Sequence, residues 1–218
     1  MPIHLQREIN KLRKMISALG ALVEDQMRRA VKAMDSRDMD LAEIVIKKDA
    51  DTDRVEVGVE EECLKILALY QPVAIDLRYI VAILKINSDL ERIGDLAVNI
   101  ADQVHFLDKG SLVQIPFDLH GMSEKVQKMV KSSLDALVNL DTALARRVCE
   151  SDNEVDDLNR QMHEMVSTAI SNQDFARLKE LIHWLTVTRN LERMADHATN
   201  IAEDVIYMVE GEIIRHRF

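Results

Sequence analysis

Apolar residues recur along much of the chain in steps of three and four, which is the spacing of one face of an α-helix. The most regular run consists of Leu90, Ile93, Ala97, Ile100, Val104 and Leu107. The same steps return about one hundred residues later, at Leu191, Met194, Ala198, Ile201, Val205 and Met208. Such a seam is typical of long helices in a left-handed bundle. The pattern therefore predicts two long bundle helices.

Short segments of turn-forming residues interrupt this pattern and divide the chain into six predicted helices. Pro72 suits the start of a helix rather than its interior, and Asp141 is placed to cap the fifth helix. The segment 109–121 holds two glycines and a proline, so it is the predicted connection between two domains. The predicted helices cover about 3–34, 38–69, 74–109, 118–139, 142–170 and a last segment that ends near Gly211.

The second half of the chain repeats the first. Residues 86–110 and 187–211 are identical at 10 of 25 positions at an offset of 101. At an offset of 103, five more positions coincide, namely Asp38/Asp141, Leu41/Leu144, Ala42/Ala145, Asp49/Asp152 and Asp53/Asp156. We therefore predict an all-α protein that is a tandem duplication of an elongated antiparallel three-helix bundle, with residues 1–110 in the first bundle and 111–218 in the second.

Composition supports the helical prediction and narrows the choice of partners. The chain has 47% hydrophobic but only 4% aromatic residues, with six glycines and three prolines. This composition suits helices better than sheets. Its formal charge is −10, from 28 Lys and Arg against 38 Asp and Glu, and no basic patch stands out. A phosphate backbone would repel such a surface. We therefore expect no nucleic-acid binding.

The longest apolar run is 79–84, far short of the roughly 20 residues that a membrane span needs. The first residues contain no apolar signal core. Cys63 and Cys149 lie in different predicted helices without a CxxC motif, so buried thiols are expected. These features favour a cytoplasmic protein.

Pairs of acidic residues four positions apart also repeat. Two carboxylates at this spacing lie one helical turn apart, roughly 6 Å along the axis, and like charges there mildly destabilise a helix. Four such pairs occur on the predicted second, third, fifth and sixth helices: Asp49 and Asp53, Glu91 and Asp95, Asp152 and Asp156, Glu192 and Asp196. Oxygen ligands that converge from two rigid helices are what a hard cation requires. The repeated pairs indicate either cation binding or solvated helix faces.

Other chemistry has weaker support in the sequence. Glu180 and His183 form one E-x-x-H motif, whereas a di-iron site in a helical bundle needs two from different helices. A carboxylate-bridged metal enzyme is thus the alternative to a binding protein, and a structural adaptor with purely solubilising acidic faces is a third possibility. His197 and His163 lie near the acidic positions as further candidate ligands or ordinary surface histidines.

The segments PVAIDLRYIVAILKINSDLERIGDLAVNIA (72–101) and TRNLERMADHATNIAEDV (188–205) resemble the PhoU family of phosphate-uptake regulators. The resemblance implies two tandem three-helix bundles in a cytoplasmic protein, often a homodimer. It also implies a negative regulator of the phosphate-starvation response. The implied partners are the ATPase of the phosphate ABC transporter and a sensor histidine kinase, and membrane association would be peripheral, through these partners alone.

The same resemblance implies multinuclear iron or zinc clusters on the E/D-x-x-x-D motifs. One metal site would use Asp49, Asp53, Glu91 and Asp95, and the other would use Asp152, Asp156, Glu192 and Asp196. Bare carboxylates repel phosphate, which carries the same sign of charge. We therefore expect the protein to relay a phosphate signal through its partners rather than bind phosphate at these residues unaided.

Overall fold

The computed structural model describes residues 3–107 and 117–212. These residues form six α-helices and no strand. The helices are α1 (Ile3–Ser36), α2 (Met39–Tyr70), α3 (Ala74–Gln103), α4 (Leu119–Asn139), α5 (Thr142–Ser171) and α6 (Phe175–Glu210). The predicted all-α fold is confirmed. Most of the predicted connection at 109–121 lies outside the described residues.

Equivalent helices of the two repeats begin in the same way. The side chain of Asp38 accepts a hydrogen bond from the backbone N–H of Leu41 at 3.0 Å, and Asp141 accepts one from Leu144 at 2.9 Å. Each aspartate thereby satisfies one of the free N–H groups at its helix start. The predicted cap at Asp141 is confirmed, and its counterpart at Asp38 has the same geometry.

The third helix ends earlier than the sequence pattern predicts. The pattern extends to about residue 109, but the α-helix stops at Gln103 and continues only as a 3-10 turn, Val104–Phe106. Leu107 then takes an extended conformation while its side chain stays buried. The apolar periodicity outlasts the helix because Leu107 reaches the core from this extended backbone.

Each repeat is a bundle in which its three helices pack against one another. All six seam residues from Leu90 to Leu107 are buried, and so are the six equivalent residues of α6. The predicted seam is therefore the core. Burial of these side chains stabilises the long helices, since each fully buried Leu, Ile, Val or Met side chain contributes about 1.5–3 kcal/mol.

The two repeats pack against each other through α3 and α6, and also through α1 and α4. Side-chain contacts join Lys85 to Asp204, Asp89 to His197 and Gln103 to His183. Residue numbers rise along α3 while those of the partners fall along α6, so the two helices run antiparallel. The repeated acidic segments of α3 and α6 consequently lie level with each other, near the middle of the crossing.

The E-x-x-H residues belong to this interface between the repeats. Arg37 donates to Glu180 at 3.0 Å, and the ring of His183 lies 3.1 Å from the amide of Gln103 and stacks on Phe106. Both side chains are therefore engaged in joining the second repeat to the first.

The cysteines are buried and form no disulfide, as predicted. Burial raises the pKa of each thiol to about 12, so neither is a ready nucleophile. No helix in the described part of the chain combines the length and the hydropathy needed to cross a membrane.

Candidate metal centre

The four predicted carboxylates of the first repeat come together on the outer side of α2 and α3. We call Asp49, Asp53, Glu91 and Asp95 cluster A. Desolvation and the charges of Asp49 and Asp95 raise the pKa of Asp53. Desolvation and the charges of Asp95, Glu56 and Asp53 raise the pKa of Glu91, although Arg92 offsets part of the effect. The cluster therefore concentrates negative charge from two helices.

The predicted carboxylates of the second repeat form an equivalent group between α5 and α6. We call Asp152, Asp156, Glu192 and Asp196 cluster B. Desolvation, followed by the charges of Asp196, Asp156 and Glu192, raises the pKa of Asp152 to about 6. Desolvation and neighbouring cluster charges also raise the pKa of Glu192 and of Asp196. All four side chains thus interact electrostatically, and a cation among them would relieve the repulsion.

Cluster A has supporting residues that the sequence pattern did not reveal. Gln26 of α1, only 5% exposed, donates its side-chain N–H to Asp49 Oδ1 at 2.8 Å. Thr52, 3% exposed, donates its hydroxyl to Gln26 Oε1 at 3.1 Å. Neither residue is acidic and neither repeats in the second half, so a search for duplicated carboxylates could not find them.

A fifth carboxylate, Glu56, extends cluster A by another turn of α2. Asn87 of α3 donates to Glu56 Oε1 at 2.7 Å and to the backbone oxygen of Glu56 at 3.1 Å. Glu56 lies three residues after Asp53, and Asn87 lies four residues before Glu91, so spacing alone could have found both. They were missed because the corresponding residues, Asn159 and Thr188, differ in type.

At each cluster lies a buried oxygen atom that has no close hydrogen-bond donor among the described residues. Beside cluster A this is Oδ1 of Asn87, a residue that is 1% exposed, and within cluster B it is Oδ1 of Asp152, whose raised carboxyl pKa is only partly offset by the hydroxyl of Thr199. Buried polar atoms normally have a partner. An oxygen acceptor without a donor, next to several carboxylates, fits the ligand chemistry of a hard or borderline cation.

The carboxylates are near one another but are not gathered around a common point. Within residues 3–107 and 117–212, no three His, Cys, Asp or Glu side chains are arranged to hold a metal ion. Like charges on neighbouring helices hold such side chains apart. Cation binding at either cluster would therefore require the side chains to turn toward each other.

His197 occupies a different position from the surface histidine that the sequence suggested. It is partly buried, with Nδ1 2.8 Å from Asp89 Oδ1, and Asn200 donates to the same oxygen at 3.3 Å. His163 is exposed, and so is Asn99, the counterpart of Asn200. His197 and Asn200 therefore join α6 to α3 beside cluster B.

The fold therefore defines this chain as a duplicated three-helix bundle with a group of surface carboxylates in each repeat. The PhoU domain model matches this chain at residues 5–104 and 119–205. The chain belongs to the PhoU family.

Similar proteins include a phosphate-specific transport system accessory protein PhoU homolog from Aquifex aeolicus, 39% identical over 98% of this chain and 96% of that protein. A PhoU homolog with the same description from Pseudomonas aeruginosa is 37% identical over 96% of this chain and 86% of that one.

Solved structures give the same result. The crystal structure of PhoU from Pseudomonas aeruginosa superimposes with a TM-score of 0.88 at 36% identity, covering 95% of this chain and 99% of that one. The phosphate transport system regulatory protein PhoU from Streptococcus pneumoniae also gives 0.88, at 28% identity, covering 96% and 98%. The chain thus belongs with proteins named for phosphate-transport regulation.

Proposed function

We propose that this protein regulates phosphate uptake and represses the phosphate-starvation response when phosphate is plentiful, by binding the ATPase of the phosphate ABC transporter and a sensor histidine kinase in the cytoplasm. The observation that carries the proposal is the family match along both repeats, because relatives of nearly equal length are named accessory proteins of phosphate transport. As a homodimer, the protein would present each docking face twice.

The mode of action is relay by binding rather than catalysis. The long helices offer extended faces for docking, and the acidic clusters would repel free phosphate. A di-iron enzyme would need two E-x-x-H motifs, and Glu180 and His183 of the one motif in the sequence are engaged between the repeats. These contacts support a regulator over a carboxylate-bridged metal enzyme.

Partner binding is tested by capture of the purified ATPase and of the kinase's cytoplasmic part on the immobilised protein. We expect retention of both, and lower expression of a phosphate-starvation reporter in cells that carry the protein than in cells that lack it. Failure to retain either partner, together with an unchanged reporter, would refute this proposal.

Clusters A and B would hold metal ions, in multinuclear iron or zinc clusters. Asp49, Asp53, Glu91 and Asp95 would supply oxygen ligands in the first repeat, and Asp152, Asp156, Glu192 and Asp196 would do so in the second. Bound metal would neutralise the acidic faces and stiffen the pairs α2–α3 and α5–α6. The charge pattern and the buried acceptor oxygens support this assignment.

Elemental analysis of protein purified without chelator tests metal binding. We expect several equivalents of iron or zinc per chain, and about half of that when Asp49, Asp53, Glu91 and Asp95 are all replaced by alanine in a variant that circular dichroism shows to be folded. Absence of metal from both proteins, also after incubation with either ion, would leave the clusters as solvated acidic faces.

A further inference from the structure

We propose that Gln26 is a positioning residue for cluster A: its side-chain amide orients Asp49 for cation binding, and the second repeat has no equivalent. The inference rests on the proposed cation binding and adds to it a residue that is not itself a ligand. It means that the two clusters, which have equivalent carboxylates, are held by different supporting residues.

The amide of Gln26 has only one favourable orientation. Its nitrogen donates to Asp49 Oδ1 at 2.8 Å, and its oxygen accepts from the hydroxyl of Thr52 at 3.1 Å. Turning the amide over would place its oxygen against the carboxylate oxygen, so Asp49 and Thr52 together fix its direction. Because Gln26 and Thr52 are both almost fully buried, their side chains have little freedom to leave this arrangement.

This hydrogen bond prepares Asp49 for a cation by orienting its carboxylate. The donor contacts Oδ1 and limits rotation of the carboxylate, so Oδ2 is the oxygen that would face a cation. Groups that hold metal-binding side chains in this manner typically change metal affinity by about 10–100-fold when they are removed.

Gly94 of α3 leaves room for this arrangement. A Cβ atom at Gly94 would lie 3.4 Å from Gln26 Oε1, 3.6 Å from Thr52 Cγ2 and 3.9 Å from Asp49 Oδ1. Three helices therefore meet closely where the amide reaches the carboxylate, and the hydrogen bonds form in a space from which other atoms are largely excluded.

The second repeat keeps the carboxylates but lacks the amide and the hydroxyl. The offset of 103 places Met129 at the position of Gln26 and Val155 at that of Thr52, and the offset of 101 places Ala195 at that of Gly94. Met129 and Val155 are buried like their counterparts. No described amide donates to Asp152, the equivalent of Asp49; the hydroxyl of Thr199 on α6 interacts with this carboxyl instead and partly offsets the rise of its pKa.

A packing role alone does not account for Gln26. Methionine fills a buried helical position of the same size, as Met129 does, without the cost of desolvating an amide. What glutamine adds is a donor directed at a cluster carboxylate. Substitution by methionine therefore separates the two roles.

The test is zinc titration by calorimetry on the full chain, with Asp152→Asn and Asp156→Asn in every sample so that cluster A alone is measured. We expect Gln26→Met to weaken Zn²⁺ binding by about 10–100-fold. Thr52→Val should weaken it less, because the amide stays and loses only its anchor. Gln103→Met is the matched control, because it removes an amide contact at the repeat interface, and it should leave zinc affinity unchanged.

The possible outcomes distinguish this inference from the proposed metal site. Unchanged or tighter zinc binding in Gln26→Met, or an equal loss in Gln103→Met, overturns the role of Gln26 and leaves the metal site intact. Absence of zinc binding by the parent protein overturns both. If Gln26→Met does not fold, the milder Thr52→Val decides, and unchanged affinity in that variant counts against the inference.

Discussion

His197 Nδ1 lies 2.8 Å from Asp89 Oδ1, in a contact that joins α6 of the second repeat to α3 of the first. Asn200 donates to the same oxygen at 3.3 Å. His197 directly follows Asp196 of cluster B in the sequence, so the cluster and the contact between repeats share one turn of helix. The corresponding position in the first repeat is Leu96, which is buried and cannot form this contact.

Replacing Asp89 by alanine should weaken the attachment of the repeats. His197 and Asn200 would both lose their acceptor, and we expect the free energy of unfolding to fall by about 1–2 kcal/mol. Urea denaturation followed by circular dichroism measures this change. Asp89→Asn keeps an acceptor oxygen and serves as the control. Equal stability of the alanine variant and the parent protein would show that the contact contributes nothing.

Removing one charge from cluster B should stabilise the metal-free protein at neutral pH. The pKa of Asp152 is raised from 3.8 to about 6, so its ionised form is less favourable in the folded than in the unfolded chain. The resulting destabilisation is absent below pH 3.8, grows as the pH rises toward 6 and is complete above it. We expect Asp152→Asn to raise the free energy of unfolding by about 1–2 kcal/mol at pH 7, after allowance for solvent screening.

This gain should disappear when the same unfolding experiment is run near pH 4. Glu150→Gln is a suitable control, since it removes one negative charge from the same helix at an exposed position. A gain of equal size at both pH values, or an equal gain in the control, would contradict the role of charge repulsion within cluster B.

Glu62 should give the protein part of its sensitivity to acid. Burial alone would raise the pKa of Glu62, but hydrogen bonds from Lys11 and Lys65 outweigh burial and lower it from 4.5 to about 2. The stabilisation is therefore fully present above pH 4.5 and is lost as the pH falls toward 2. We expect Glu62→Gln to lower the free energy of unfolding by about 1–2 kcal/mol at pH 7. This is less than the pKa shift of Glu62 alone implies, because both lysines are substantially exposed and solvent screens the interaction.

Thermal unfolding of the Glu62→Gln variant and the parent protein at several pH values measures this effect. The difference in stability should shrink steadily between pH 4.5 and 2. Glu61→Gln, an exposed neighbour on α2, is the control. A difference that stays constant throughout this range would mean that the variant acts by altered packing rather than by charge.

At Gly20, the backbone of α1 lies close to the side chain of Leu134 on α4. A Cβ atom there would lie 2.9 Å from Cδ2 of Leu134, closer than two carbon atoms normally approach. We expect Gly20→Val to lower the free energy of unfolding by about 1–3 kcal/mol through overpacking.

Leu134→Ala alone should also destabilise, because it leaves a cavity. In the double variant, valine would occupy part of that space, so the combined loss should be smaller than the sum of the single losses. Denaturant unfolding of all four proteins gives the interaction energy. If the losses of unfolding free energy in the two single variants simply add in the double variant, the side chains at positions 20 and 134 do not clash.

Local sequence patterns were sufficient to predict most of the fold. The seam from Leu90 to Leu107 fixed the buried face of α3, and Asp141 predicted the start of α5, because apolar periodicity and capping depend on neighbouring residues. The predicted end of α3 was wrong. Leu107 keeps the apolar spacing because its side chain is buried, although its backbone is extended, and apolar spacing alone cannot distinguish this arrangement from a further helical turn.

The candidate site was predicted only as far as it repeats. The four E/D-x-x-x-D pairs are regular enough to be recognised, whereas Gln26 approaches Asp49 from another helix, 23 residues away in sequence. Such a contact depends on how α1 packs against α2. Sequence spacing along a single helix contains no information about that distance.

The antiparallel crossing of α3 and α6 has a thermodynamic consequence for the two clusters. Each of these helices carries a carboxylate pair on one side and the contact between the repeats on another, so an ion that displaces either helix also acts on the packing of the other. Any such coupling must be reciprocal: if occupancy of cluster A changes the affinity of cluster B by some factor, occupancy of B changes the affinity of A by the same factor. One duplicated chain could then respond to a cation as a cooperative pair without a second subunit.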